Sequence, residues 1–297
     1  MKFNQFLLLI ACSATALASA QAQAQTDTLK KIKETNTITL GYREASIPFS
    51  YLDAELKPVG FSMDLCKFIA DRIKQQLNLR DLKVDYVAVN SSNRIPLVQN
   101  GTVDIECGGT ANNPTRQREV AFSVATFVSQ PRWLVRVDSG LKTAADLKGK
   151  TVVTTQGSNA VGFARQISQA NGLDLKIIQA KDHSESMLML DSGRVTAFLE
   201  DDILLAGEKA NSRNPAAFAF LPDSYDTIYY GLMFRRDDPK FKALVDEVLT
   251  AMMKPGDFEK VYKKWFESPI PPRGNNLQFP MSELLKERVR NPSDKVS

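Results

Sequence analysis

Three short apolar runs rich in β-branched residues, ITLGY (Ile38–Tyr42), VDYVAV (Val84–Val89) and VDIEC (Val103–Cys107), are separated by stretches of helical periodicity. Strands that alternate with amphipathic helices give an α/β fold built on a parallel sheet, because parallel neighbours need a crossover that a helix supplies. Each run is also followed, a short way on, by an arginine: Arg43, Arg94 and Arg116. Open parallel sheets bind ligands at the carboxyl ends of their strands. If the runs are neighbours, three guanidiniums gather at one edge. Arginine cannot shed its proton to relieve such crowding, so the cluster calls for an anion.

The rhythm continues through the chain. Thr26–Thr35 is a short entry helix, and Ser62–Leu77 places Leu65, Phe68, Ile69, Ile73 and Leu77 on one helical face. Asn93–Asn100 is a short helix closed by Asn100-Gly101. Thr126–Val137 is extended and leads out of a first unit. A second unit follows: a helical turn Ala144–Leu147, strand Lys150–Thr155, helix Asn159–Ala170, strand Leu175–Gln179, helix Ser184–Asp191, strand Ala197–Leu199 and helix Asp202–Asn211. The strand-like run Asp226–Arg235 returns the chain to the first unit, and Phe241–Met253 and Phe258–Phe266 close it. The proline-bearing tail after Pro269 is a wrapping extension. Crossings near 130 and 228 divide the chain into one lobe of residues 25–130 and 228–297 and a second of 131–227, on a two-strand hinge suited to closing around a small ligand.

Residues 1–24 stand apart. Lys2 precedes the apolar run Phe6–Ala18, followed by Ala18-Ser19-Ala20 and Ala22-Gln23-Ala24, the order of a cleaved secretory signal. An uncleaved anchor, or a lipoprotein with Leu9-Ile10-Ala11-Cys12 as attachment box, are the alternatives. The run is too short to span a bilayer, so an exported, periplasmic protein is expected. Removing the segment lowers the formal charge only from +4 to +3, too small an excess to call for nucleic acid. Cys66 and Cys107 then remain. An oxidising compartment permits a disulfide, but two buried small apolar side chains are the preferred reading. One histidine and two separated cysteines offer no zinc or iron site, and no cofactor is called for.

Candidate ligand-binding residues follow from position. Arg43 sits in a loop stiffened by Pro48. Arg94 lies just inside a helix start beside Ser91 and Ser92, either of which can cap that helix, where free N–H groups favour anions. Arg116 follows Gly108-Gly109-Thr110, whose backbone can approach a carboxylate closely, and Arg118 competes with it for the clamp. In the second unit, Ser158 and Asn159 follow the Gly157 turn at a helix N-terminus. His183, the chain's only histidine, follows a strand. Asp201 and Asp202 follow another; one can neutralise an ammonium group while the other caps the next helix. Several arginines against one or two carboxylates fit a zwitterion with an additional carboxylate, because buried charges must be matched group for group.

Several longer segments carry a resemblance: GYREASIPFSY (Gly41–Tyr51), VGFSMDL (Val59–Leu65), NRIPLVQNGTVDIECG (Asn93–Gly108), the RQ and AFS of Arg116–Ser123, DLKGKTVV (Asp146–Val153), AKDHSES (Ala180–Ser186), SGRVTAFLEDDILLAGE (Ser192–Glu208) and KWFESPIPP (Lys264–Pro272). Through them the chain resembles the periplasmic glutamate/aspartate-binding proteins of bacterial ABC importers, in the polar amino-acid family of solute-binding proteins. The likeness runs over essentially the whole chain beyond the signal segment. It implies a two-lobed periplasmic binding protein (type II) fold that captures an acidic amino acid, glutamate or aspartate, and delivers it to ABC transporter permease subunits. By position, Arg116 would hold the α-carboxylate with Thr110 and the second-lobe turn. Asp201 would take the α-ammonium. Arg43 and Arg94, with Ser91 and His183, would bind the side-chain carboxylate. Two departures stand out: Gly109 and Ala111 replace the family's usual serine or threonine, and Ser158 and Asn159 its threonines. A sensing role, or an enzyme using His183 and Asp201 as an acid–base pair, are the alternatives from other classes.

Overall fold

The computed structural model describes residues 26–254 and 256–296; the expected signal segment, with Cys12, lies outside them. Among the described residues no helix is long and apolar enough to cross a membrane.

Two five-stranded sheets organise the chain. The first has the order Lys83–Val89, Thr37–Arg43, Ile105–Glu106, Met233–Arg235, Val120–Phe122. Its first three strands are parallel, with Arg43 opposite Val89 and Leu40 opposite Ile105. The second has the order Lys176–Ala180, Thr151–Thr155, Ala197–Asp201, Pro131–Arg136, Phe218–Ser224, and again its first three strands are parallel. The inner strands Thr151–Thr155 and Ala197–Asp201 are buried almost throughout and read as continuous runs, whereas the edge strand Lys83–Val89 is buried only at Val89.

The crossings explain where the functional edge falls. Phe127–Ser129 pairs antiparallel with Ile228–Tyr230, Ile228 opposite Ser129, while Ala111–Asn112 flanks the latter strand. From this hinge one chain runs directly into Pro131–Arg136 and the other into Met233–Arg235. Each enters its sheet antiparallel to the third parallel strand: Pro131 pairs with Asp201, and Met233 with Glu106. The carboxyl ends of both parallel triplets therefore lie beside the hinge and face each other. Topology alone builds a two-sided cleft.

Helix Phe61–Gln76 docks on the first sheet through fully buried Leu65, Ile69 and Ile73, as its periodicity required. Phe68, expected on that face, is 45% exposed; Cys66 takes the inward position instead. Cys66 and Cys107 form a disulfide, Cα–Cα 6.1 Å, which corrects the expectation of two free buried thiols. The two residues are 41 apart in sequence, and only the docking of the helix brings them together. The strand read as Val103–Cys107 keeps regular pairing only at Ile105–Glu106, though Asp104 and Cys107 still donate to backbone carbonyls of Thr39 and Gly41. Phe218–Ser224 is a further strand, not among those expected from the sequence; its Pro222 is tolerated because this is an edge strand. The tail wraps: helix Glu283–Arg290 buries Leu285 and Val289 against the first core, and Ala125 N–H donates to the Ser293 carbonyl.

Candidate functional site

The three arginines reach the cleft, and all are buried. Arg43, the last residue of its strand, donates from Nη2 to Ser91 Oγ at 2.9 Å and stands 3.5 Å from His183 Nε2 across the cleft. Its Nη1 is buried without a partner. Arg94 opens helix Arg94–Gln99 and leaves its Nε equally unpartnered. Arg116 donates to the Ala111 carbonyl at 2.8 Å and, from the opposite wall, to the Gly157 carbonyl at 3.1 Å. Burial, then repulsion from Arg94, lowers Arg43 to about 10 and Arg116 to about 9, so both stay charged at neutral pH. Arg118, the competing choice for the clamp, is exposed.

Ser91 and Ser92 do not cap the Arg94 helix as expected. Asn90 Oδ1 accepts from the Ser92 and Asn93 amides, which frees the Ser91 hydroxyl for Arg43. Thr110 is buried and donates to Glu106 Oε2 at 2.7 Å, so the donor it has left for a ligand is its backbone N–H. Gly108 lies against Glu106, where a Cβ would come within 2.2 Å of Oε1. At Gly109 a Cβ would stand 3.0 Å from the Phe49 ring and 3.1 Å from the Tyr230 ring, so a serine or threonine there would need both rings to shift.

The second wall carries acids and a histidine. Asp201 closes its strand and accepts from Asn159 Nδ2 at 3.3 Å and from the Tyr230 hydroxyl of the hinge strand. Burial raises Asp201 to about 6, against these two donors. Asp202, expected to cap the next helix, is instead its first residue; its carboxylate accepts from the Ile203 amide and the Ser129 hydroxyl, tying the helix to the hinge. Ser158 Oγ accepts from the Ala160 amide at 3.2 Å, and Gly157, at φ +78°, sets its turn so close to the first wall that a Cβ would lie 2.5 Å from the Ser91 carbonyl. His183 is buried, with Nδ1 2.8 Å from Thr155 Oγ1; burial first, then Arg43 and Arg94, pushes it well below the ordinary histidine range, so it is neutral.

Except for Arg118, which is exposed, the residues singled out from the sequence line or support one cleft. What it can do chemically follows from the surplus of donors: unmet N–H groups of Arg43 and Arg94 on one side, a carboxylate on the other, and little room between. A family model for bacterial extracellular solute-binding proteins, family 3, matches residues 38–268.

The chain belongs to that family. It is 50% identical over 273 residues to an L-glutamate/L-aspartate-binding protein of Pseudomonas aeruginosa, covering 91% of this chain and 90% of that one. It is 41% identical over 269 residues to a glutamate/aspartate import solute-binding protein of Escherichia coli, covering 91% and 89%. Among solved structures, a mutant of ArgBP from T. maritima superposes with TM-score 0.71 at 26% identity, covering 80% of this chain and 99% of that one. The architecture of this solute-binding protein is accordingly the two-lobed, type II periplasmic binding fold on a two-strand hinge.

Three residues of the cleft escaped the sequence reading. Glu106 and Glu200 lie inside the buried runs VDIEC and AFLED, where a glutamate is hard to tell from a solvent-facing one. Tyr230 reaches Asp201 only through the hinge pairing. One signal was available: a glutamate at the inward end of an otherwise apolar strand is costly unless it serves something.

Proposed function

We propose that this protein is an extracytoplasmic receptor, periplasmic after removal of its signal segment, that captures L-glutamate or L-aspartate between closing lobes and delivers it to the permease subunits of an ABC importer. The observation that carries this reading is the convergence of three buried guanidiniums, two with unmet donors, opposite the Asp201 carboxylate. A guanidinium buried beside two others is stable only with a matching anion. Two carboxylates and one ammonium supply what the walls lack.

In this reading Arg116 holds the α-carboxylate, with backbone N–H groups of Gly108 and Thr110 and the Ser158–Asn159 turn beside it. Asp201, oriented by Tyr230 and Asn159, receives the α-ammonium. Arg43 and Arg94, with Ser91 and His183, take the second carboxylate. The lobes are residues 25–130 with 228–297, and 131–227, turning about the Phe127–Ser129 and Ile228–Tyr230 strands. The names of the two bacterial relatives support the ligand and the transporter. They also support a binding rather than an enzymatic role. Calorimetric titration with the twenty amino acids tests the reading: acidic amino acids bind, and a protein that binds only neutral or basic ones overturns it.

A further inference from the structure

Glu106 has a partner in Thr110, but the roles assigned above leave Glu200 unused. It is buried on the strand Ala197–Asp201; Oε1 accepts from the Asp201 amide at 3.2 Å, whereas Oε2 has no hydrogen-bond partner and lies 3.6 Å from His183 Nδ1. The donors around His183 fix its tautomer. The Ser186 hydroxyl donates to the Asp182 carbonyl at 3.0 Å, so it accepts from Thr155, and Thr155 Oγ1 in turn accepts from His183 Nδ1–H. That leaves a lone pair on Nε2, turned toward Arg43 and the place assigned to the second carboxylate. A carboxylate arriving there meets a repulsive lone pair unless Nε2 gains a proton.

Charge matching leads to the same place. Arg43, Arg94 and Arg116 face Glu106 and Asp201, so with His183 and Glu200 both neutral the walls carry one net positive charge, the complement of a dicarboxylic amino acid. With Glu200 ionised that complement is lost. We propose that the His183–Glu200 pair holds one additional proton when the cleft closes on glutamate or aspartate, so that capture of the acidic ligand takes up a proton and Glu200 helps set the preference over the neutral amides.

The surrounding charges give the order of events. Arg43 and Arg94 oppose a proton on His183, and the Ser158 hydroxyl, the Asp201 amide and Arg43 favour an ionised Glu200, while the Asp201 carboxylate favours a proton on it. In the closed cleft burial, then Asp201, pushes Glu200 up to about 8, so the proton rests on its carboxyl. A second carboxylate bound to the arginines cancels their field, and the proton is then free to sit on His183, its charge facing Glu200. In an open, hydrated cleft Glu200 returns toward the ordinary carboxylate range. Between the two values affinity falls as pH rises, because the proton must come from solvent.

This inference rests on the proposed ligand, and one experiment separates the two. Glutamate and glutamine are titrated calorimetrically in phosphate and in Tris at pH 7.4, for the wild type and for Glu200→Gln. Expected is uptake approaching one proton per glutamate, less for glutamine, whose amide adds no negative charge beside the pair, and loss of the glutamate uptake in Glu200→Gln. As a second measure on the wild type alone, the glutamate Kd rises about tenfold or more from pH 6.5 to 8.5, and the glutamate-to-glutamine preference narrows. Glutamate binding without proton uptake, or uptake that persists in folded Glu200→Gln, overturns the inference and leaves the receptor standing. Absence of binding to any acidic amino acid overturns both.

Discussion

The two walls of the cleft are built from the same topology and carry opposite electrostatics. Each is the carboxyl edge of three parallel strands in the order second, first, third. The first wall holds the guanidiniums of Arg43, Arg94 and Arg116, and Arg43 and Arg116 stay charged at neutral pH despite burial. The second holds His183, Glu200 and Asp201, all shifted by burial toward their uncharged forms. A permanent wall can catch an anion in an open cleft at any ordinary pH. A titratable wall adjusts to what has been caught, and its charges matter only once water is gone. The fold supplies the cleft; the division of charge supplies the selectivity.

The strongest way to break this comparison is to remove a permanent charge. Arg43→Ala or Arg94→Ala should weaken glutamate and aspartate binding by about 2–5 kcal/mol, roughly 30-fold to several thousandfold, as truncation of one member of a buried charge pair does. Calorimetry showing near-normal affinity in both variants would remove the dicarboxylate from the cleft. Loss of the Cys66–Cys107 link tests whether the first wall is the rigid one. Cys107 lies between Glu106 and Gly108, and closing a loop across a separation of 41 residues is worth roughly 4 kcal/mol in the chain-entropy account. The Cys66→Ser, Cys107→Ser double variant should melt well below the oxidised protein in a calorimetric scan; an unchanged Tm would show that the helix is held without the staple.

Smaller effects probe the second wall. Asp201→Asn keeps an acceptor for Tyr230 but removes the charge facing the ammonium, and should cost about 1.5–3 kcal/mol of affinity. Gly157→Ala adds a Cβ within 2.5 Å of the Ser91 carbonyl at a backbone φ of +78°, so it opposes closure itself. About 1–3 kcal/mol of affinity should be lost, with the ligand preference unchanged, and a small-angle scattering profile of the liganded variant should remain more open than that of the wild type.

Much of this was legible in the sequence because strand ends are. Arg43, His183 and Asp201 each stand at or just past an apolar run, and the rule that parallel sheets bind at their carboxyl edges places them in the cleft before any coordinates. Arg116 and Arg118 lie in one short segment whose periodicity does not rank them; the resemblance favoured Arg116, and burial now separates the two. The disulfide was not legible: neither cysteine sits in a spacing motif, and the contact depends on a helix docking on a sheet. Ser91 and Ser92 were offered as caps, Ser91 also as a contact of the second carboxylate; here Asn90 holds the turn and Arg43 claims Ser91. Glu200 was hidden by its own strand, and its significance rests on a neighbour that is distant in the chain.

The central claim is that Arg43 and Arg94 demand a second carboxylate. The most direct measurement is a pair of calorimetric titrations of the wild-type protein at pH 7, with L-glutamate and with L-glutamine, which differ by that one group. Glutamate should bind at least about a hundredfold more tightly, since the amide leaves buried guanidinium charge unmatched. Equal affinity, or a preference for glutamine, would contradict it.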